Sequence, residues 1–330
     1  MELALYGTGG YFTGPTLRSQ KSGDFLTSPE VSPLFGQTLA DFVASEYQRV
    51  GDPFIVVDAG AGSGSLLRPM LESLNVDAWA IEVSPPARAA LDRILGPGRV
   101  VGDLDQLPDP TRGVIIANEL IDNLPMALAQ LSPAGWRERW VAIDGDGLAF
   151  VDAALRPEVS TWLDRFSGPV DPGGWVEVQL PAQAWLEKAL SRLATGSVVV
   201  IDYGDTSEDL APRRASGTLR TYRSHHLGPH PLDEPGATDI TADVNFSALV
   251  AVAEAAAADV ELNRQDDFLA VWGLREQLSQ YRLLELELAR TGPAPDRLRA
   301  RTRRIEAETL LHPRGLGDFR VLVARAANRG

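Results

Sequence analysis

Three glycines at alternate positions, Gly60, Gly62 and Gly64, follow an aspartate, Asp58, that closes an uninterrupted apolar run at 54–57. The run is rich in β-branched residues, the pattern of a parallel strand covered on both faces. It predicts a strand near the centre of a sheet, with a helix opening near Ser65. Glycines permit positive φ and let a ligand come close to the backbone. In an open α/β sheet, ligands bind beyond the carboxyl ends of the strands, so a nucleotide-like ligand belongs at this turn. A second strand, predicted over 77–83, ends at Glu82, 24 positions after Asp58. An acid at about that distance can take both hydroxyls of a ribose.

A second group of carboxylates lies further along. Residues 113–117 predict a fourth strand that runs into Asn118-Glu119-Leu120-Ile121-Asp122. If 119–122 is a helical turn, Glu119 and Asp122 lie three apart on one face and converge on a single guest. A guanidinium is the natural guest, because its planar fork of donors suits carboxylates. The same residues admit a plainer reading in which Asn118 or Asp122 caps the next helix. Asp103, just past a short third strand at 99–101, could meet an adenine amino group. Asp202, after a fifth strand at 197–201, and His225 are candidates to take a proton.

Composition narrows the chemistry. The chain has 330 residues, enough to bury a large core. It has no cysteine and four histidines without metal-ligand spacing, which excludes disulfides and thiolate catalysis and leaves little case for a metal. With 31 basic against 45 acidic residues the formal charge is −14, which opposes nucleic-acid binding and attracts a cationic substrate. No apolar run is long enough to span a bilayer, and the first residues lack the pattern of a secretory signal. A cytoplasmic location is expected.

The remaining pattern supplies the scaffold. Residues 1–22 read as an irregular arm, and a helix capped by Thr27 or Ser28, with Pro29 and Glu30 in its first turn, precedes the first strand. Residues 85–95 read as a helix. From 126 to 181 short alternating segments interrupt the α/β repeat, with a hairpin turn at Asp144-Gly145-Asp146-Gly147. Trp136, Trp140, Trp162 and Trp175 are expected to form the core of this insertion. Helices over 183–193 and 247–257, a strand over 259–264, a charged helical appendage over 266–311 and a closing strand over 318–324 complete the chain.

The glycine turn is not the dinucleotide motif, whose third small residue would fall at 65, where Ser65 stands. An acid followed by G-x-G-x-G is the pattern of S-adenosylmethionine methyltransferases. From about Tyr11 to Leu322 the chain resembles the MidA-like family of those enzymes, which includes a mitochondrial arginine methyltransferase serving respiratory complex I assembly. The motifs that carry the resemblance are Gly-Asp-Phe-Leu-Thr-Ser-Pro-Glu-Val-Ser (23–32), Asp-Ala-Gly-Ala-Gly-Ser-Gly-Ser-Leu (58–66) and Ala-Asn-Glu-Leu-Ile-Asp-Asn-Leu-Pro (117–125). Ile-Asp-Tyr-Gly (201–204), Gly-Thr-Leu-Arg-Thr-Tyr-Arg (217–223) and Asp-Ile-Thr-Ala-Asp-Val-Asn-Phe (239–246) follow in order.

The resemblance implies an α/β, Rossmann-like, seven-stranded class I methyltransferase core over 51–330, with insertions at about 126–181 and 266–312. The first 50 residues would form an arm and helix in which Gly23, Asp24 and Phe25 act as a lid. S-adenosyl-L-methionine is the implied cofactor, bound through Asp58, Gly60, Gly62, Gly64, Glu82, Asp103 and Asn118. Glu119, Asp122, Asp202 and His225 are the candidate catalytic residues, and an arginine nitrogen of a protein substrate is the implied acceptor. Leu120 and Ile121 stand where the family usually has aromatics, so a small-molecule acceptor stays open, as does a non-catalytic assembly factor that binds the cofactor.

Overall fold

The computed structural model describes residues 1–15, 27–223 and 226–327. Gly23, Asp24, Phe25 and His225 therefore lie outside the described residues.

Five consecutive buried residues form the first strand, Ile55–Ala59, and their side chains alternate between two cores. Val56 packs on one face with Val114, Val199 and the helix Pro33–Val50. Ile55 and Val57 pack on the other with Ile115, Val198 and the helices Leu180–Arg192 and Phe246–Ala255. Apolar side chains on both faces explain the unbroken run. The seven-stranded sheet has the order Asp259–Arg264, Arg320–Ala326, Leu193–Asp202, Thr111–Asn118, Ile55–Ala59, Asp77–Ile81 and Val100–Val101. Arg320–Ala326 runs antiparallel to both its neighbours, and the pairs from Leu193–Asp202 to Val100–Val101 are parallel. The order reverses between Ile55–Ala59 and Thr111–Asn118, which opens a crevice at the carboxyl ends of those two strands.

Several elements differ from expectation. The helix predicted after Thr27 is two helices, Ser28–Val31 and Pro33–Val50. Pro33 forces the residue before it out of the helical region, and Ser32 is extended at φ −156°, ψ 139°, where its Oγ accepts from Leu34 N–H. The interruption at 126–181 is a four-stranded antiparallel sheet, ordered Gly147–Ala153, Gly135–Asp144, Ala127–Ser132 and Trp175–Val178, with the helix Pro157–Phe166 packed on it. Trp162 is buried in that core, but Trp140 is half exposed on the hairpin, with the Arg156 guanidinium 6.0 Å from its ring centroid.

The helices Leu274–Thr291 and Ala294–Leu310 are more than a solvated appendage, since Leu274, Leu278, Ala307 and Leu310 are buried in the core on one face of the sheet. The first residues are not a loose arm either. Leu5, in the helix Glu2–Tyr6, and Tyr11 are fully buried against Ile240. Among the described residues no helix is long and apolar enough to cross a membrane.

Candidate active site

The crevice holds a cavity of about 320 Å³ lined by Asp58, Gly60, Gly62, Glu82, Asp103 and Asn118 among others. Gly60 and Gly62 have φ of +73° and +51°, a backbone state that favours glycine. Gly60 N–H donates to Ile81 O at 2.8 Å, and Gly62 N–H donates to Glu82 Oε2 at 2.8 Å. Gly64 does not line the cavity. A side chain there would meet Ile94 Cδ1 at 2.6 Å and Leu91 Cδ2 at 3.2 Å, so this glycine lets the helix Pro85–Leu95 pack close to the turn.

Glu82 is held from three sides. Besides Gly62 N–H, its Oε1 accepts from Val83 N–H at 2.7 Å and Ser84 N–H at 2.8 Å. The carboxylate is thus fixed at the cavity wall with acceptor capacity left. Asp58 Oδ2 and Asn118 Oδ1 are buried and have no hydrogen-bond partner. Burial, and then the charge of Glu82, push the Asp58 carboxyl well above the usual range. Two orphaned acceptors in one wall are a cost unless a guest with donors occupies the space. The aminoacyl end of S-adenosylmethionine carries such donors, so these residues fit that cofactor. Asp103 lies at the opposite end, where Oδ1 accepts from Asp105 N–H at 2.9 Å and pairs with Lys188 Nζ at 2.6 Å.

Glu119 marks the inner end. It is not in a helical turn with Asp122. Its φ is +51°, and the only helical turn here is the short 3-10 segment Ile121–Asn123. The predicted side-by-side spacing therefore fails, but the two carboxylates meet otherwise. Glu119 lines the cofactor cavity and also a second chamber of about 500 Å³, which Asp122, Tyr203 and Phe319 line as well. Asn123 is likewise shared between the two spaces.

Glu119 Oε1 accepts from Ser28 N–H at 3.1 Å and Asn118 Nδ2 at 3.3 Å. Burial first, then the charges of Asp122 and Glu30, push its carboxyl up to about 8 against these two donors. Asp122 is also raised, chiefly by burial. Among the described residues neither acid has an arginine or lysine at ion-pair distance.

Asp202 differs from expectation. It is fully buried and lines neither space. Its Oδ2 accepts from Ile121 N–H at 3.0 Å and Asp122 N–H at 3.2 Å, and its Oδ1 from Tyr203 N–H at 3.0 Å. It fixes the 121–123 turn and is not placed to take a proton from a guest. Sequence reasoning also missed Tyr6 and Phe12, which line the cofactor cavity, and the Tyr6 hydroxyl donates to Asn123 O at 3.2 Å. Their only signal was a group of aromatics in a glycine-rich arm.

The Glu119 carboxyl makes stability depend on pH in a definite direction. It ionises near 4.5 when free and near 8 in the fold. Between those values the folded state holds the extra proton, so its contribution to stability falls as pH rises, by about 1.4 kcal/mol per pH unit at most. Glu119→Gln should therefore melt close to wild type at pH 5 and above it at pH 9, in thermal scans without ligand. An equal shift at both pH values would show that Glu119 ionises normally.

A sheet of this order, with a glycine turn after its first strand and an acid after its second, defines a Rossmann-like S-adenosylmethionine-dependent methyltransferase. The chain belongs to the family described as "Putative S-adenosyl-L-methionine-dependent methyltransferase", whose model matches residues 38–263. It is 29% identical over 292 residues to the mitochondrial protein arginine methyltransferase NDUFAF7 of Xenopus tropicalis, covering 76% of this chain and 66% of that protein. The human protein of the same name is 29% identical over 309 residues, covering 82% and 67% respectively. The chain thus spans about two thirds of the length of these relatives.

A crystallised Burkholderia thailandensis protein bound to S-adenosylhomocysteine superimposes with a TM-score of 0.85 at 29% identity, covering 100% of this chain and 87% of that one. The cofactor is S-adenosylmethionine. The cytoplasmic expectation is corrected by the same comparisons, since these relatives are mitochondrial.

Proposed function

We propose that this protein methylates a nitrogen of an arginine side chain in a protein substrate. The observation that carries the reading is a pair of carboxylates without a cation partner among the described residues, Glu119 at the junction of the cofactor cavity and the second chamber and Asp122 on the wall of the second chamber. A guanidinium between them would relieve the cost of ionising both. The relatives named as protein arginine methyltransferases support the same acceptor.

S-adenosylmethionine supplies a methyl group on a sulfonium, and such transfers depend on alignment more than on a strong acid or base. Asp58 and Asn118 would hold its aminoacyl end, Gly60 and Gly62 give its chain room at the turn, Glu82 would bind the ribose, and Asp103 lies at the adenine end. Glu119 would orient the guanidinium by charge-assisted hydrogen bonds. A methylated arginine nitrogen must also shed a proton, and a carboxylate ionising near 8 is suited to receive it near neutral pH. Gly64 and Asp202 would act on the site only through its framework.

The test is incubation with methyl-labelled S-adenosylmethionine and a cell extract, followed by hydrolysis and amino-acid analysis of the protein fraction. Label in methylarginine is expected. Label confined to the protein-free fraction would favour a small-molecule acceptor and overturn this reading.

A further inference from the structure

The second chamber has a charge pattern of its own. Asp243 on its wall is neutralised by Arg213 and Arg220, and Asp318 pairs with Arg264 at 2.5 Å. Among the described residues Asp122 is left without a cation, and it is only 4% exposed. Both of its side-chain donors fall on one oxygen, since Oδ2 accepts from the Tyr203 hydroxyl and from Thr241 Oγ1 at 2.5 Å. Its Oδ1 has no partner. A carboxylate gripped at one oxygen cannot rotate freely, so its remaining acceptor capacity is held in one direction. Tyr203 and Phe319 meet edge to face at 5.6 Å between centroids on the same wall. A buried acid with one orphaned oxygen beside Phe319 suits a planar cation, which can donate in its plane and stack on that ring, the Tyr203 ring being already faced by the Arg220 guanidinium at 5.9 Å.

We propose that the acceptor guanidinium is seated in this second chamber against Asp122, with Tyr203 and Thr241 as positioning residues that aim Asp122 Oδ1 at it. The inference rests on the arginine reading above and adds the direction of approach. The acceptor side chain enters from the rim formed by the exposed Arg314 and Gly315 and meets the cofactor cavity across Glu119. Asp202, through its bonds to the backbone of Ile121 and Asp122, sets the height of the same carboxylate.

The experiment is calorimetric titration of the full chain, saturated with S-adenosylhomocysteine, with N-acetyl-arginine-methylamide and with its neutral citrulline analogue. The variants are Asp122→Asn, Tyr203→Phe, Thr241→Val, Thr241→Ser and Glu119→Gln, and unchanged S-adenosylhomocysteine affinity in each reports an intact fold. Wild type should prefer the arginine probe, and Asp122→Asn should weaken it about tenfold or more, the scale of one hydrogen bond to a charged group. Thr241→Val should also weaken it, and Thr241→Ser, which keeps the hydroxyl, should restore it. The Tyr203 and Thr241 hydrogen bonds hold the Asp122 carboxyl down against burial. In Tyr203→Phe the pH dependence of probe binding should therefore move to higher pH, a shift that a purely structural role would not produce.

Normal binding by Asp122→Asn and Tyr203→Phe, with binding lost in Glu119→Gln, would place the guanidinium in the first cavity and overturn the seat while leaving arginine as acceptor. Wild type without preference for arginine over citrulline would overturn the arginine reading, and the seat with it.

Discussion

Glu82→Ala should lower affinity for S-adenosylhomocysteine by about a hundredfold or more, measured by calorimetry at neutral pH. The carboxylate is preorganised by the N–H groups of Gly62, Val83 and Ser84 at 2.7–2.8 Å, so it loses little freedom on accepting two ribose hydroxyls. Hydrogen bonds to a charged group contribute roughly 1.5–3 kcal/mol each, and two of them account for a factor of this size. The substitution also frees Gly62 N–H and loosens the turn, which acts in the same direction. Glu82→Gln keeps part of the cradle. Its amide oxygen can accept from Gly62 N–H or from Val83 and Ser84 N–H but not from both sides, so charge and one acceptor are lost while one side of the turn is still held, and the expected loss is about tenfold or more but smaller than for Glu82→Ala. Wild-type affinity in Glu82→Ala would show that the ribose is bound elsewhere.

The cofactor half of the site was legible because its signals are local. An apolar run, alternate glycines and an acid at the end of the next strand each report on a few neighbouring residues, and the order of the sheet follows from where such runs recur. Gly64 shows the limit of that reading. In sequence it resembles Gly60 and Gly62, but its contacts are with Leu91 and Ile94, so it serves packing. The acceptor half was read less well because its contacts are distant along the chain. Asp122 is held by Tyr203 and Thr241, and Glu119 by the backbone of Ser28. A helical spacing rule placed these two carboxylates together for the wrong reason, since the positive φ of Glu119 breaks the helix while the fold still brings both to one chamber. Asp202 was misplaced because a polar residue at a strand end can face the crevice or turn back to hold a loop, and only the structure distinguishes them. The sheet at 126–181 was read as a hairpin because Ala127–Ser132 and Trp175–Val178 pair across the whole segment, a partnership that no local pattern announces.

Glu119→Gln should reduce methyl transfer about a hundredfold or more while leaving S-adenosylhomocysteine affinity within about threefold of wild type. The substitution keeps the shape of the side chain and its acceptor for Ser28 N–H, so the cofactor cavity is preserved, and what it removes is the charge that would orient a guanidinium and the group that would take its proton. Losing a charge-assisted contact and a positioned base together accounts for a loss of this order. The pH dependence gives a sharper reading. In the free protein the carboxyl ionises near 8, and only the ionised form attracts a cation. The ratio kcat/KM reports groups of the free enzyme, so it should rise as pH increases through about 8 in the wild type and lose that limb in Glu119→Gln. Bound acceptor, being cationic, favours the charged carboxylate and should move the same limb in kcat to lower pH. Unchanged turnover in Glu119→Gln would remove Glu119 from the chemistry. A wild type that binds S-adenosylhomocysteine but shows no turnover with any acceptor would instead favour a scaffold, in which the raised Glu119 only makes the apo-protein sensitive to pH.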